Sequence, residues 1–289
     1  MLRVLQKDML LHIGKILGGI VLAIVVYTCL TTYVVYEYQR TYPLLKRNCH
    51  VVETCFATDK QQKIPKIIYR LGETDSVEID LASKKTKENN TGYKEIKIPL
   101  EEAEQLLKTK FYRLFVQYEK INPIYNQCKR DILVYNWMYQ NGGVFLEDDV
   151  WAESLCKLIE PQDEMLISPW TFPLGVQTMK NAPSTGDYQQ WWIVVKPKHP
   201  FLFELMKAIT YQIENLNQRF FPTGKEGGHH LTGGVIFTDT LNRMENEGMT
   251  EYRIVCANGN NLLHSIVYDQ EWVRKGEERY PNTKGSMLK

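Results

Sequence analysis

Hydrophobic and polar positions divide the chain into two stretches of different character. From Ile16 to Tyr36, 21 residues run without a charge. At ~1.5 Å per helical residue they reach roughly 31 Å, the thickness of a bilayer's hydrocarbon core. Tyr27, Tyr33 and Tyr36 gather toward the C-terminal half of the run, where an interfacial aromatic belt falls. A cleaved leader has an apolar region of ~7–15 residues that ends in small side chains. This run is longer and ends Tyr33-Val34-Val35-Tyr36, so it predicts a retained transmembrane helix over residues 16–36. Arg3, Lys7 and Lys15 precede the span, and Arg40, Lys46 and Arg47 follow it, so charge does not set its orientation. A short tail of residues 1–15 with everything else behind the span suits a single-pass type II protein. Its folded part would then lie in the lumen of the Golgi or the endoplasmic reticulum.

Beyond the span the pattern changes. Residues 37–62 are polar with few apolar runs and read as a stem. The folded domain, 63–289, begins with the short apolar run Ile64–Tyr69, which predicts a strand. Ser83–Asn90 (SKKTKENN) reads as a charged loop, and Leu100–Tyr118 carries the apolar spacing of one amphipathic helix. Asn122 is a good N-cap and Pro123 a good first helical residue. Ile124, Cys128, Asp131, Tyr135 and Met138 then recur at three- and four-residue steps, and Gly142-Gly143 marks the stop. Val144-Phe145-Leu146 predicts a strand that ends directly in Glu147-Asp148-Asp149. Trp191–Val195 reads as a strand, and 200–220 and 235–244 as helices. Such alternation predicts an α/β sandwich with a mostly parallel central sheet.

Composition narrows the function. Lys and Arg number 35 against 34 Asp and Glu, a net charge of +1. No bulk basic field exists to hold a nucleic-acid backbone, so no nucleic-acid partner is expected. Hydrophobic residues at 44% and charged ones at 24% exclude a disordered or fibrous chain. Cys29 lies in the span. Cys49 and Cys55 either close a small loop in an oxidising lumen or stand as unpaired thiols; Cys128, Cys156 and Cys256 leave the same choice open. Asn89-Asn90-Thr91 is a glycosylation tripeptide if that part of the chain is luminal.

The acid triplet is the chemical feature of the chain. In an open α/β sheet, ligands bind beyond the carboxyl ends of the strands. Neighbouring carboxylates repel one another, and a divalent cation removes that cost. Hard oxygen ligands suit Mn²⁺ or Mg²⁺ bound together with substrate phosphate. On an extended backbone Glu147 and Asp149 share one face and Asp148 takes the other. An acidic surface turn is the plainer reading of the same three residues.

The run from Asp131-Ile132-Leu133-Val134 through Gly142-Gly143-Val144-Phe145-Leu146-Glu147-Asp148-Asp149 resembles the DXD-containing glycosyltransferases of family 32, the initiating-mannosyltransferase-like group. Their signature is a helical Asp-x-x-Arg followed by Gly-Gly-x-Tyr-x-Asp-x-Asp. Weaker matches are Lys196–Leu202, Leu231–Thr238, and His264 followed by Trp272. The resemblance spans roughly residues 64–272. It implies a GT-A-type sandwich and transfer of a hexose from a nucleotide-diphospho-sugar, GDP- or UDP-linked, to a glycan or glycolipid, with retained anomeric configuration. It further implies a metal held by Glu147, Asp149 and His264, with Asp149 the principal ligand. Asp131, Gly142, Gly143, Asp148, Thr232 and Gly233 are implied at the donor. An internal salt bridge with Arg130 or Arg113 is the alternative for Asp131, and a plain helix stop or turn is the alternative for the glycines.

The chain departs from the signature in three places and from the wider family pattern in a fourth. Glu147 stands for the first Asp, Phe145 for Tyr, and Val134 for the Arg that would contact the donor sugar; Tyr69-Arg70-Leu71 stands where the family often has a His and later a Trp near the nucleotide base. The Val134 departure keeps a second reading alive, a catalytically inactive relative acting as a membrane-anchored binding or regulatory protein. A phosphohydrolase with a strand-end nucleophile fits less well, because its acids usually lie near the start of the domain.

Overall fold

The computed structural model describes residues 26–27, 62–72, 77–168, 188–249, 251–255, 263–265 and 286–289, the side chains of 77–78 and 263–265 excepted. The chain divides into two compact units, Met1–Asn48 and Cys49–Lys289. Within the first, Val26 and Tyr27 are helical and exposed. The rest of the predicted span lies outside the described residues. Among the described residues no helix is long and apolar enough to cross a membrane.

The second unit is a mixed α/β fold. Strand β1 (Ile67–Leu71) leads into α1 (Val77–Asn89) and β2 (Lys94–Ile98). Helices α2 (Leu100–Lys110), α3 (Tyr112–Lys120) and α4 (Asn126–Asn141) carry the chain to β3 (Gly143–Leu146). Then come β4 (Val150–Ala152), the short α5 (Leu155–Leu158), β5 (Met165–Ile167) and β6 (Trp192–Val195). Helices α6 (Pro200–Glu214), α7 (Gly224–Leu231) and α8 (Gly234–Asn246) precede β7 (Arg253–Ile254) and β8 (Leu263–Ser265).

The central sheet runs β2-β1-β3-β6-β5-β7, and β4 pairs with β8 apart from it. β6 is antiparallel to its neighbours β3 and β5, and the other pairs are parallel. The sheet is therefore mostly parallel, as predicted, with one strand reversed. From β1 the chain goes to β2 on one side and returns to β3 on the other. The gap between the carboxyl ends of β1 and β3 is thus the point where strand order reverses.

Alternation along the strands divides the core between the two sheet faces. Tyr69, Leu71, Phe145, Ile193 and Val195 join the cluster built with α2, α3, α4, α6 and α8. Ile68, Val144, Leu146, Trp192 and Val194 pack with Val150, Ala152, Leu155 and Leu158. A strand buried on both faces reads as an unbroken apolar run, and Val144-Phe145-Leu146 does so.

Three local expectations are corrected. Ser83–Asn90 is not a loop, since α1 runs through it to Asn89. Its attachment is polar rather than apolar. Thr86 Oγ1 accepts from the Ala152 amide at 3.2 Å, and Asn90 Nδ2 donates to the Ala152 carbonyl at 2.9 Å. Leu100–Tyr118 is not one helix, because Phe111 leaves helical geometry (φ −138°, ψ 60°) between α2 and α3. Its ring packs against Tyr139 and Phe203 at centroid distances of 5.5 and 6.1 Å. The helix predicted over 200–220 ends at Glu214.

Candidate active site

The glycines at the start of β3 are placed by packing. Gly142 closes α4 with φ 63°, and its amide donates to the Met138 carbonyl at 2.8 Å. A Cβ there would meet the Pro197 nitrogen at 2.5 Å; at Gly143 (φ 100°) it would meet the Ile67 carbonyl at 2.7 Å. Both glycines stand at the opposite end of β3 from the acids, and protein fills the space around them.

At the other end of β3 the acid triplet leaves the sheet. It is not extended, so the expected split of alternate carboxylates between two faces does not apply. The Val150 amide donates to the Glu147 carbonyl at 3.0 Å and closes a tight turn over 147–150. Against the turn lies Arg70, a guanidinium only 3% exposed at the end of β1. It donates to the carbonyls of Glu147 (2.7 Å), Asp148 (3.3 Å) and Val150 (2.9 Å). The same guanidinium donates to Glu95 Oε1 (2.8 Å) and Thr86 Oγ1 (3.3 Å). All three acids of the triplet are half-buried.

Around this turn the structure gathers residues from distant segments. Asp148 Oδ2 accepts from Arg130, which also donates to the Leu71 carbonyl, at 3.0 and 2.8 Å. Glu147 Oε1 lies 3.4 Å from Gln127 Nε2, and the same nitrogen donates to Asp131 Oδ1 at 2.9 Å. Asp131 Oδ2 accepts from the Thr232 hydroxyl at 2.8 Å. Asp131 therefore makes neither of the two salt bridges considered for it: Arg130 pairs with Asp148, and Arg113 pairs with Glu214. The Tyr135 hydroxyl reaches the Thr232 carbonyl (2.7 Å) and Gln190 Oε1 (3.1 Å). Gly233 lies beside them, where a Cβ would stand 3.2 Å from Gln190 Nε2.

Burial pushes the Asp131 carboxyl from its ordinary 3.8 to about 7. Its hydrogen bonds with Thr232 and Gln127 oppose that rise, and the nearby Glu147 charge adds to it. Burial likewise pushes the Cys128 thiol up to about 12, with the Asp131 charge adding to it. Cys128 is thus an inert thiol against the site.

His264 pairs through its backbone with Trp151, next along from the acid turn, in the β4–β8 ladder. Its side chain lies outside the described atoms, as does all of Trp272. A different histidine meets carboxylates among the described residues: Glu164, His199 and Glu251 bring one ligand atom each within 4.8 Å of one another. Here His199 is already engaged. Its Nδ1 accepts from the Phe201 amide at 3.2 Å, and Nε2 faces the Glu251 carbonyl at 3.0 Å. Lys63 and Lys196 both bind Glu164. Gly143 pairs with Val195, so this group sits at the end of the sheet away from the acid turn.

The turn itself has the donor chemistry for a small hard cation. Arg70 holds the backbone oxygens of Glu147, Asp148 and Val150 from one side, which leaves the Glu147 and Asp149 carboxylates as the charged groups that could meet an ion at the turn. That suits Mn²⁺ or Mg²⁺ shared with phosphate oxygens better than an all-protein Ca²⁺ cage.

Gln127, Tyr135 and Gln190 carry no site signal in the sequence; Arg70 shows there only as a departure from the family pattern near the nucleotide base, and Arg130 only as the alternative partner of Asp131.

No family model matches the chain, and no curated protein matches it. Among solved structures it is similar to the PaToxG glycosyltransferase at 16% identity and a TM-score of 0.43, over 66% of this chain and 72% of that one. It is also similar to the glycosyltransferase domain from the YGT toxin. The ligand-free form matches at 8% identity and a TM-score of 0.36, over 55% of this chain and 52% of that one. The UDP-bound form matches at 8% and 0.35, over 60% of this chain and 54% of that one. The chain thus spans about half the length of the two toxin-domain structures. Likeness at this level carries no weight in the functional reading, which rests on the residues of the site.

Proposed function

We propose that this chain is a membrane-anchored glycosyltransferase that moves a hexose from a nucleotide-diphospho-sugar to a glycan or glycolipid, with retention and with a divalent metal. One observation carries the reading. The acid turn stands beyond the carboxyl end of β3, where strand order reverses between β1 and β3, and Asp131 and Thr232 are joined to it through Gln127. Such a crevice is where open α/β sheets bind nucleotides.

Glu147 and Asp149 would hold the ion, and the side chain of His264 is the third candidate ligand. A bound Mn²⁺ or Mg²⁺ neutralises charge on the departing diphosphate. The chain's own residues do the rest. Asp131 keeps lone pairs on oxygens already fixed by Thr232 and Gln127, and these can accept a sugar hydroxyl. Thr232 and Gly233 bring backbone close to the same place. Arg130 supplies a guanidinium at Asp148 from one helical turn before Val134, which meets the objection that the Asp-x-x-Arg position has lost its cation. That placement favours turnover over the inactive-relative reading.

The anchor over 16–36 and a luminal domain remain part of the proposal. Cys156 supports the lumen: it is disulfide-bonded, and such bonds persist in oxidising compartments.

A screen of GDP- and UDP-hexoses with and without Mn²⁺ tests the activity. Donor hydrolysis that needs metal and disappears in a folded Asp149→Asn chain is the expected result. No hydrolysis of any donor by the wild-type chain would favour the inactive relative.

A further inference from the structure

The acids of the turn would bind an ion, and the turn is gripped from outside as well as from within. Within it, the Val150 amide donates to the Glu147 carbonyl. Three successive carboxylates repel one another and favour an open backbone. Arg70 opposes that opening from behind. A guanidinium has five N–H donors in a fixed plane, and here five acceptors meet it: Glu95, Thr86 and the carbonyls of Glu147, Asp148 and Val150. Glu95 balances the charge, with the two side chains 4% and 7% exposed. The pair therefore brings little net charge to the site, and its influence on the turn is geometric. Lysine could not substitute, since its point-like ammonium cannot span three carbonyls.

On the reading of the turn as a metal–diphosphate site, we infer that Arg70 is the positioning residue of that site. It holds the 147–150 backbone from which the carboxylates of Glu147 and Asp149 project, and through that backbone it governs how they meet a cation. Arg70 touches neither ion nor donor. Partners of this outer kind typically govern metal affinity by about 10–100-fold.

The test is Mn²⁺ binding by the full chain, followed through the loss of the electron paramagnetic resonance signal of free Mn²⁺, with melting temperature read in parallel. The informative variant is Arg70→Met with Glu95→Leu. Removing both members of a buried pair leaves no stranded charge, and the cost is confined to the acceptors that lose their donor, the carbonyls of Glu147, Asp148 and Val150 and the Thr86 hydroxyl. The inference expects a folded chain with a lowered melting temperature and Mn²⁺ affinity about 10–100-fold weaker. A folded double variant with wild-type Mn²⁺ affinity overturns it and leaves the transferase reading standing. A wild-type chain that binds no Mn²⁺ overturns both. If the double variant does not fold, Arg70→Lys decides. It keeps the charge opposite Glu95 and loses the three-carbonyl grip, so weakened Mn²⁺ binding in a folded chain is expected. Unchanged binding, or failure of both variants to fold, overturns the inference.

Discussion

Asp131→Asn separates stability from function at the center of the site. Burial holds the Asp131 carboxyl at about 7 in the folded chain, against an ordinary 3.8. Between those values the folded chain keeps a proton that the unfolded chain has released. The unfolded state then binds fewer protons, so stability falls as pH rises through the window. The separation is about 3 pH units, and at ~1.4 kcal/mol per unit it amounts to roughly 4 kcal/mol lost between pH 4 and pH 7. Asparagine has no proton to lose. Its carbonyl oxygen can accept from Gln127, and its amide can donate to Thr232, whose hydroxyl accepts as readily as it donates. No buried partner is stranded. Urea unfolding of both chains from pH 4 to pH 8 provides the assay. His199 and His229, whose pKa values burial lowers, add stability to both chains as pH rises, so the reading is the difference between them: Asp131→Asn should gain about 4 kcal/mol on wild type between pH 4 and neutral pH. Donor turnover should fall in the same variant, a trade common at functional sites. Parallel stability curves across the window would refute the reasoning, because they would mean that Asp131 is not buried with its proton.

Other consequences are simpler to check. Gly143→Ala places a methyl 2.7 Å from the Ile67 carbonyl at a φ of 100°, so it should destabilise by roughly 2 kcal/mol or more and lower the melting temperature. Cys156→Ser should cost about 2–4 kcal/mol, and non-reduced peptide mapping should link Cys156 to one other cysteine. Lys63 and Lys196 hold the Glu164 carboxyl at about 2, below its ordinary 4.5. Its stabilising effect is present above pH 4.5 and lost as pH falls toward 2, so Glu164→Gln should weaken the chain at pH 6 and matter little near pH 2. Asn89 and Thr91 are exposed; glycosidase treatment of the cell-expressed chain should remove mass at Asn89 if the domain is luminal.

What the sequence revealed followed from local signals. Asn122 and Pro123 open a short 3-10 turn, Pro123–Tyr125, and not α4 itself, which starts at Asn126; Gly142 marks the end of α4, and the Val144–Leu146 run a strand buried on both faces. The acids were visible because three carboxylates after such a strand have no packing role. Asp131 stood out as a carboxyl on an apolar helical face, and Thr232 by its glycine neighbours. What stayed hidden depends on contacts across the fold. SKKTKENN has no apolar stripe, and its helix is fastened by Thr86 and Asn90 to a strand 62 to 66 residues later. Phe111 breaks a helix whose spacing continues through it, because its ring belongs between Tyr139 and Phe203. The acid turn is held by Arg70, 77 to 80 residues away, and no pattern near Glu147 announces that. The reversed direction of β6 is a matter of topology, on which an apolar run is silent.

The most direct measurement is an anomalous-scattering map from crystals of the chain grown with Mn²⁺ and UDP. The account predicts one manganese peak at the 147–150 turn, bridging carboxylate oxygen and diphosphate. A peak at Glu164, His199 and Glu251 with none at the turn, or nucleotide bound away from the ends of β1 and β3, would contradict it.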